Sequence, residues 1–394
     1  MKENTMTKTQ KVTLSILLSN LFIAFLGIGL VIPVLPTLMN ELGITGTVVG
    51  YMVAAFAITQ LIVSPIAGRM VDRFGRKIMI VSGLFIFGLS EFLFGLGKSV
   101  EILFVSRMLG GVSAAFIMPA VTAFIADITT MAQRPKALGY MSAAISTGFI
   151  VGPGIGGFLA EIGTRVPFFV AGVLGAFAAI LSLFLLKEPT RAVDDTDAAP
   201  SILGSFKRIF SPLYLIAFVL IFVLSFGLAA FESLFSLFVD HKFGFTPTDI
   251  AIIITGSGIV GAIAQLVLFN WLTQKMGEIN LIRYSLALSA ILTFVMTIVG
   301  SYLSILFVTF FLFVGFDLIR PAITSYLSKI AGNEQGFVGG MNSMFTSLGN
   351  VFGPIIGGIL FDVNLNYPYY FATIVLAVGV GLALFWKKPK HIEI

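Results

Sequence analysis

Five ionisable residues, Glu91, Arg107, Glu232, Asp317 and Arg320, stand inside otherwise apolar runs. On insertion scales such a charge costs roughly 2.5–3.5 kcal/mol at the centre of a membrane-spanning helix, so each needs a partner or a function. Glu232 has no residue of opposite charge within four positions, which makes it the candidate for a carboxyl group that takes up and releases a proton. Asp317 and Arg320 are three residues apart and can pair on one helical face. Glu91 lies about six residues from the end of its run and is open to two readings, a structural residue that snorkels to the interface or a functional one. Nothing in the sequence suggests an enzyme. Cys is absent, the only histidines are His241 and His391, and neither has a neighbour at metal-ligand spacing. Gly97-Lys98-Ser99 ends like a phosphate-binding loop, but Phe92 stands at the required first Gly, so no nucleotide, and hence no ATP, is expected.

The elements that position these residues follow from composition. Apolar residues make up 57% of the 394-residue chain and charged ones 11%, with mean hydropathy +1.02. A soluble chain carries roughly 25% charged residues. A cytosolic enzyme, a nucleic-acid binder and a disordered protein are therefore excluded as readings. About 20 apolar residues span a bilayer as a helix. Twelve such runs occur, at 12–36, 47–68, 78–97, 100–126, 137–160, 165–187, 212–239, 249–271, 281–301, 303–328, 338–361 and 367–386. The first is too long for a signal peptide and lacks a cleavage site, so it is expected to remain as a helix. Lys187 to Pro212 holds four basic residues, four acidic ones and three Pro. It reads as a cytoplasmic linker, 188–211, between six-helix bundles at 1–187 and 212–394. With the N-terminus in the cytoplasm, 19 Lys and Arg fall in cytoplasmic loops and tails and three on the opposite side, which places both termini in the cytoplasm.

The two halves repeat. Met118-Pro119-Ala120 aligns with Arg320-Pro321-Ala322 at an offset of 202. Gly148-x-x-x-Gly152-Pro153-x-x-Gly156-Gly157 aligns with Gly349-x-x-x-Gly353-Pro354-x-x-Gly357-Gly358 at 201, and Glu161 falls on Asp362 at the same offset. Two parallel six-helix repeats are a transporter architecture, with a substrate site expected at their interface near the midplane. The predicted fold is an all-α membrane protein of twelve transmembrane helices in two pseudo-symmetric six-helix bundles.

Gly68-Arg-Met-Val-Asp72-Arg73-Phe-Gly75-Arg76-Lys77 follows the second run. It resembles the G-x-x-x-D-R-x-G-R-K signature of the major facilitator superfamily, in which this loop is a cytoplasmic latch. Gly68 is expected to permit close helix packing, and Asp72 to lie where the third-helix N-terminus and a nearby Arg hold a carboxylate. Alternatively, the four basic residues only enforce topology. The matching loop of the second half has Gln274 at the place of Asp72, so no second latch is expected there. In the fourth run Arg107, Gly111, Ala114 and Met118 share one helical face, where small residues admit a neighbouring helix. The Gly148 to Gly157 segment resembles the motif that marks antiporters in this superfamily, its Gly for tight packing and Pro153 for a kink. Phe25 to Pro33, Gly139 to Ser142, Ser225 to Leu228 and Gly315 to Ala322 are similar to the multidrug/proton antiporters of Gram-positive bacteria.

That resemblance implies the fold and a function: export of amphipathic, often cationic drugs and dyes in exchange for protons, by alternating access, in the bacterial cell membrane. It implies proton handling at Glu232 and Asp317, with Arg320 beside them. It implies a pocket drawn from Phe25, Phe56, Gln60, Arg107, Met118, Ser146, Phe149, Phe313 and Asn342, where aromatic faces attract cations and Met adapts to shape. A monomer without cofactor or metal is expected. The alternative is a dedicated metabolite or polyamine exporter on the same fold.

Overall fold

The computed structural model describes residues 6–130, 133–189, 214–331 and 335–386. The linker expected at 188–211 lies almost wholly outside them, as does the C-terminal tail. Among the described residues there are helices and no strands.

α1 (Lys8–Val31) opens on a reciprocal cap, in which the Gln10 N–H donates to Thr7 Oγ1 at 3.2 Å and the Thr7 N–H to Gln10 Oε1 at 2.7 Å. It runs through a 3₁₀ turn (Ile32–Val34) into α2 (Leu35–Leu42), and the two form one span. In the first half there follow α3 (Gly46–Phe74), α4 (Arg76–Leu96), α5 (Val100–Ile128), α6 (Arg134–Ile162) and α7 (Val166–Leu185). In the second half come α8 (Leu215–Phe243), α9 (Pro247–Met276), α10 (Glu278–Val295), α11 (Tyr302–Ala331), α12 (Gln335–Val363) and α13 (Tyr367–Phe385). Among the described residues twelve helical spans are long and apolar enough to cross a membrane, so the chain is a multi-pass membrane protein.

α3 and α9 run past the apolar limits expected at 68 and 271, to Phe74 and Met276. Their last turns are polar, yet each residue still gains a backbone hydrogen bond. The helices stop where glycine permits a turn: Gly75 has φ 101° and Gly277 φ 76°, values that L-residues with a side chain rarely adopt. Pro119, Pro153, Pro321 and Pro354 sit inside α5, α6, α11 and α12 without interrupting them.

The chain forms two compact units. One gathers residues 1–44, 55–195 and 245–255, the other 45–54, 196–244 and 256–394. Each therefore includes a short segment from the other half of the sequence, the first turns of α9 and of α3. In the second unit the Asp362 carboxylate accepts the N–H groups of Gly46 at 2.7 Å and Thr47 at 2.8 Å, capping α3. In the first unit Glu161, at the matching place, takes among the described residues only the Thr248 hydroxyl at 3.2 Å. Pro247 stands where Gly46 stands in the other half and has no N–H to give.

Candidate functional site

In the second unit the acidic residues are positioned by aromatic packing. Phe231 of α8 is buried, its ring centroid 6.1 Å from that of Phe313 and 6.4 Å from that of Phe316, both on α11. Phe235 and Tyr369 complete the cluster at 5.2 and 5.6 Å. This holds α8 against α11, with Glu232 and Asp317 each the residue after a clustered Phe. Glu232, Asp317 and Arg320 then lie within electrostatic reach of one another. Glu232 is exposed, Asp317 half-buried and Arg320 exposed. The pairing expected from the three-residue spacing is not made: among the described residues no ion pair within 4.0 Å joins Asp317 to Arg320. Asp317 Oδ2 instead points at α9, against Gly261, where an added Cβ would collide with it. Gly261 carried no signal in the sequence, being one glycine among 41. Asn342, on α12, is half-buried and its Oδ1 is 3.5 Å from Thr346 Oγ1.

The first unit carries the remaining expected pocket residues. Phe25 and Phe149 stack at a tilt with centroids 5.0 Å apart, which joins α1 to α6. Phe149 and Ser146 are exposed, on the same stretch of α6. Phe56 lies along α5, where a Cβ on Gly110 would be 3.1 Å from its ring. A Cβ on Gly111 would be 2.5 Å from the Phe56 carbonyl oxygen and 3.1 Å from the Gln60 nitrogen, so α3 and α5 touch backbone to backbone there. Met118 is half-buried against the core of this unit. Arg107 does not stand alone in hydrocarbon. Its guanidinium is 4.2 Å from the centre of the Phe94 ring, and its Nη2 is 3.6 Å from Glu91 Oε1. Glu91 does not snorkel. Its side chain is 4% exposed because it turns inward to face α5 rather than outward to the interface.

The loop motif is built differently from expectation at two places. Among the described residues a Cβ on Gly68 would meet no atom within 4 Å, so no close helix approach is made there by any of them. The carboxylate at the N-terminus of α4 belongs to Glu188, not Asp72. Glu188 accepts the N–H of Arg76 at 2.6 Å and of Lys77 at 2.8 Å, where the helix end favours negative charge. Asp72 precedes the helix on the chain and faces outward, its side chain 75% exposed, touching Arg76 Nη1 at 3.4 Å. Arg76 Nε makes a shorter bond to Asp127 Oδ2 at 2.8 Å, and both side chains are largely buried. Arg73 is exposed, 5.5 Å over the Phe74 ring.

The second half holds the counterpart of the Arg76–Asp127 pair with its charges exchanged. Glu278 follows Gly277 as Arg76 follows Gly75, and it pairs with Lys329, which lies 202 positions beyond Asp127. Ser325 Oγ adds a bond to Glu278 at 3.3 Å. The two reversed charges at one offset were the sequence signal for this pair, and the comparison at Gln274 alone missed it.

The glycines of α6 admit α1. Cβ atoms on Gly148 and Gly152 would stand 2.8 Å from the Phe22 carbonyl oxygen and 2.6 Å from that of Leu26, and one on Gly156 would strike the Leu30 carbonyl. Pro153 packs its Cδ against Gly29, and Gly157 meets Ala251. In the second unit Gly349 and Gly353 of α12 admit α8 in the same way, at Phe226. Among the described residues no cluster of His, Cys, Asp and Glu could hold a metal ion.

The family model for the Major Facilitator Superfamily matches residues 17–242 and 217–393. Multidrug resistance protein 1 of Bacillus subtilis (strain 168) is 70% identical over 384 residues, covering 98% of each chain. Quinolone resistance protein NorA of Staphylococcus aureus is 46% identical over 377 residues, covering 95% of this chain and 96% of its own. Among solved structures, a bacterial homologue of the human lysosomal transporter Spinster superposes with a TM-score of 0.83 at 14% identity, over 96% of this chain and 97% of its own. With its loop signature, its glycine-lined helix contacts and these matches over nearly its full length, the chain belongs to the Major Facilitator Superfamily.

Proposed function

We propose that the chain exports amphipathic, often cationic drugs from a bacterial cell in exchange for protons, by alternating access in the plasma membrane with both termini in the cytoplasm. The observation that carries this is the cluster of Glu232, Asp317 and Arg320 on membrane-spanning helices. Two carboxyl groups within electrostatic reach, one of them exposed, can bind and release a proton. Either carboxylate also attracts a cation, so a proton and a cationic drug compete for the same negative charge. Competition of this kind is the minimum an antiporter needs, because the two ligands must not be carried together. The names of the relatives, multidrug and quinolone resistance proteins, support drugs as the cargo.

Arg320 keeps the pair of carboxylates from carrying two uncompensated charges. In the first unit Phe25, Phe56 and Phe149, with Gln60, Met118 and Ser146, and in the second unit, taken by itself, Phe313 with Asn342, supply faces that bind flat cations with little demand on shape. Protons and the bilayer are the other partners, and the chain works as a monomer without cofactor.

Inverted membrane vesicles containing the chain test the reading. Energised so that their interior is acid, they are expected to accumulate a fluorescent dye cation such as ethidium, and to lose it when a protonophore collapses the gradient. Accumulation that ignores the protonophore contradicts proton exchange. No accumulation of any cationic dye, with uptake of one metabolite or polyamine, favours the dedicated exporter.

A further inference from the structure

Glu91 and Arg107 form the second group of charges within the membrane-spanning helices, in the unit that lacks the acidic cluster. Their register is fixed. Ser90 Oγ donates to the Ser106 carbonyl at 2.9 Å, and Ser106 Oγ donates to the Ser90 carbonyl at 2.8 Å, so α4 and α5 are pinned at the residues preceding each charge. Within that register the pair is incomplete. Glu91 Oε1 stands 3.6 Å from Arg107 Nη2, beyond hydrogen-bond length. Glu91 Oε2, Arg107 Nε and Arg107 Nη2 are buried with no hydrogen-bond partner. The Nε and Nη2 edge is the one a carboxylate normally takes with two parallel bonds. Breaking an ion pair of this kind leaves a charge in low dielectric, where its field reaches far.

The charge of Arg107 is thus cancelled by Glu91 without being consumed in a tight fork. Among the described residues no other ion pair within 4.0 Å involves Glu91 or Arg107. α7, which packs on α4, has no ionisable side chain at all, and the remaining charges of α4 and α5, Arg76, Lys77, Glu101 and Asp127, lie at their ends. One turn beyond Arg107, Gly110 carries the ring of Phe56, which an aromatic pocket for cations would use.

We propose that Glu91 is a charge-selectivity residue acting through Arg107: by neutralising the guanidinium it lets the first unit accept a cationic ligand that an unpaired arginine would repel. The inference rests on the reading of the chain as a cation exporter. It requires of Glu91 a negative charge and not merely its volume.

The test is equilibrium binding of one permanently charged probe, methyltriphenylphosphonium, to the purified full chain in detergent. Glu91→Gln is expected to weaken binding about tenfold, the size of effect that one unpaired charge exerts on another across about 10 Å of protein. Glu91→Asp, which keeps the charge, is expected to stay within about threefold of wild type. Glu91→Gln combined with Arg107→Gln is expected to recover at least about threefold of the loss, because the uncompensated cation is gone. Recovery by a second substitution also shows that the single variant had not simply misfolded. Wild-type affinity in Glu91→Gln overturns the inference, as does a double variant as weak as the single one, which makes the role of Glu91 purely structural. Absence of binding by the wild-type chain overturns the cation-exporter reading itself, and this inference with it.

Discussion

Asp317 is held by what it faces on another helix. Its position three residues before Arg320 permits a pair along α11, but spacing fixes only which residues share a helical face. The rotamer is decided by room, and the room is at Gly261 on α9. A helix-to-helix choice of this kind leaves no trace in local sequence, whereas Glu232 was legible because an isolated carboxylate in an apolar run needs only its own neighbours to be noticed. Replacing Gly261 by Val places methyl groups in the position of the carboxylate. Overpacking of this kind costs about 1–3 kcal/mol, and the exposed side of Asp317 gives it somewhere to go. Gly261→Val is expected to insert and fold but to exchange dye for protons at least about tenfold more slowly, a change of about 1.4 kcal/mol in the barrier. The measurement is dye efflux normalised to protein in the membrane. Wild-type efflux shows that the placement of Asp317 is immaterial.

At the scale of elements, the ends of α4 and α10 follow one plan with reversed charge. A glycine with positive φ starts each helix, its next residue carries a charge, and the partner sits near the end of α5 or α11. The loop signature was expected to set a carboxylate at the N-terminus of α4, and one stands there. Its carboxylate was assigned to Asp72 because that residue lies in the motif, while Glu188, over a hundred positions away, has no mark in sequence to distinguish it from any linker acid. The buried Arg76–Asp127 pair is expected to hold α4 to α5. Removing one partner of a buried pair costs about 3–5 kcal/mol. Asp127→Lys is therefore expected to lower the thermal unfolding temperature in detergent substantially. Asp127→Lys with Arg76→Glu is expected to regain most of the loss, since the second half stands on that arrangement. If the double variant unfolds no later than the single one, the two ends are not equivalent.

At the scale of the whole molecule, the twelve spans were readable because bilayer thickness sets the length of every apolar run, and the duplication because both halves keep the same small residues where helices meet. Gly152 and Gly353 show what that repetition preserves: backbone contact with α1 in one unit and with α8 in the other. The exchange of short segments, 45–54 and 245–255, was not readable. It depends on which helix a first turn leans on, and the hydropathy of that turn is the same either way. One of the two backbone donors that Asp362 takes has no counterpart beside Glu161, because Pro247 stands at the place of Gly46, and that Pro gained meaning only once its place in the fold was known.

In the proposed exchange Glu232 carries the proton that is traded for drug. The direct measurement is proton movement in proteoliposomes that hold the purified chain and a trapped pH-sensitive dye, started by adding a drug cation on one side. Wild type is expected to release protons in step with drug entry. Glu232→Gln keeps the shape of the side chain but cannot lose a proton, and it is expected to insert normally and give no drug-driven proton signal. Proton exchange at the wild-type rate in Glu232→Gln would contradict the account and move the coupling to Asp317.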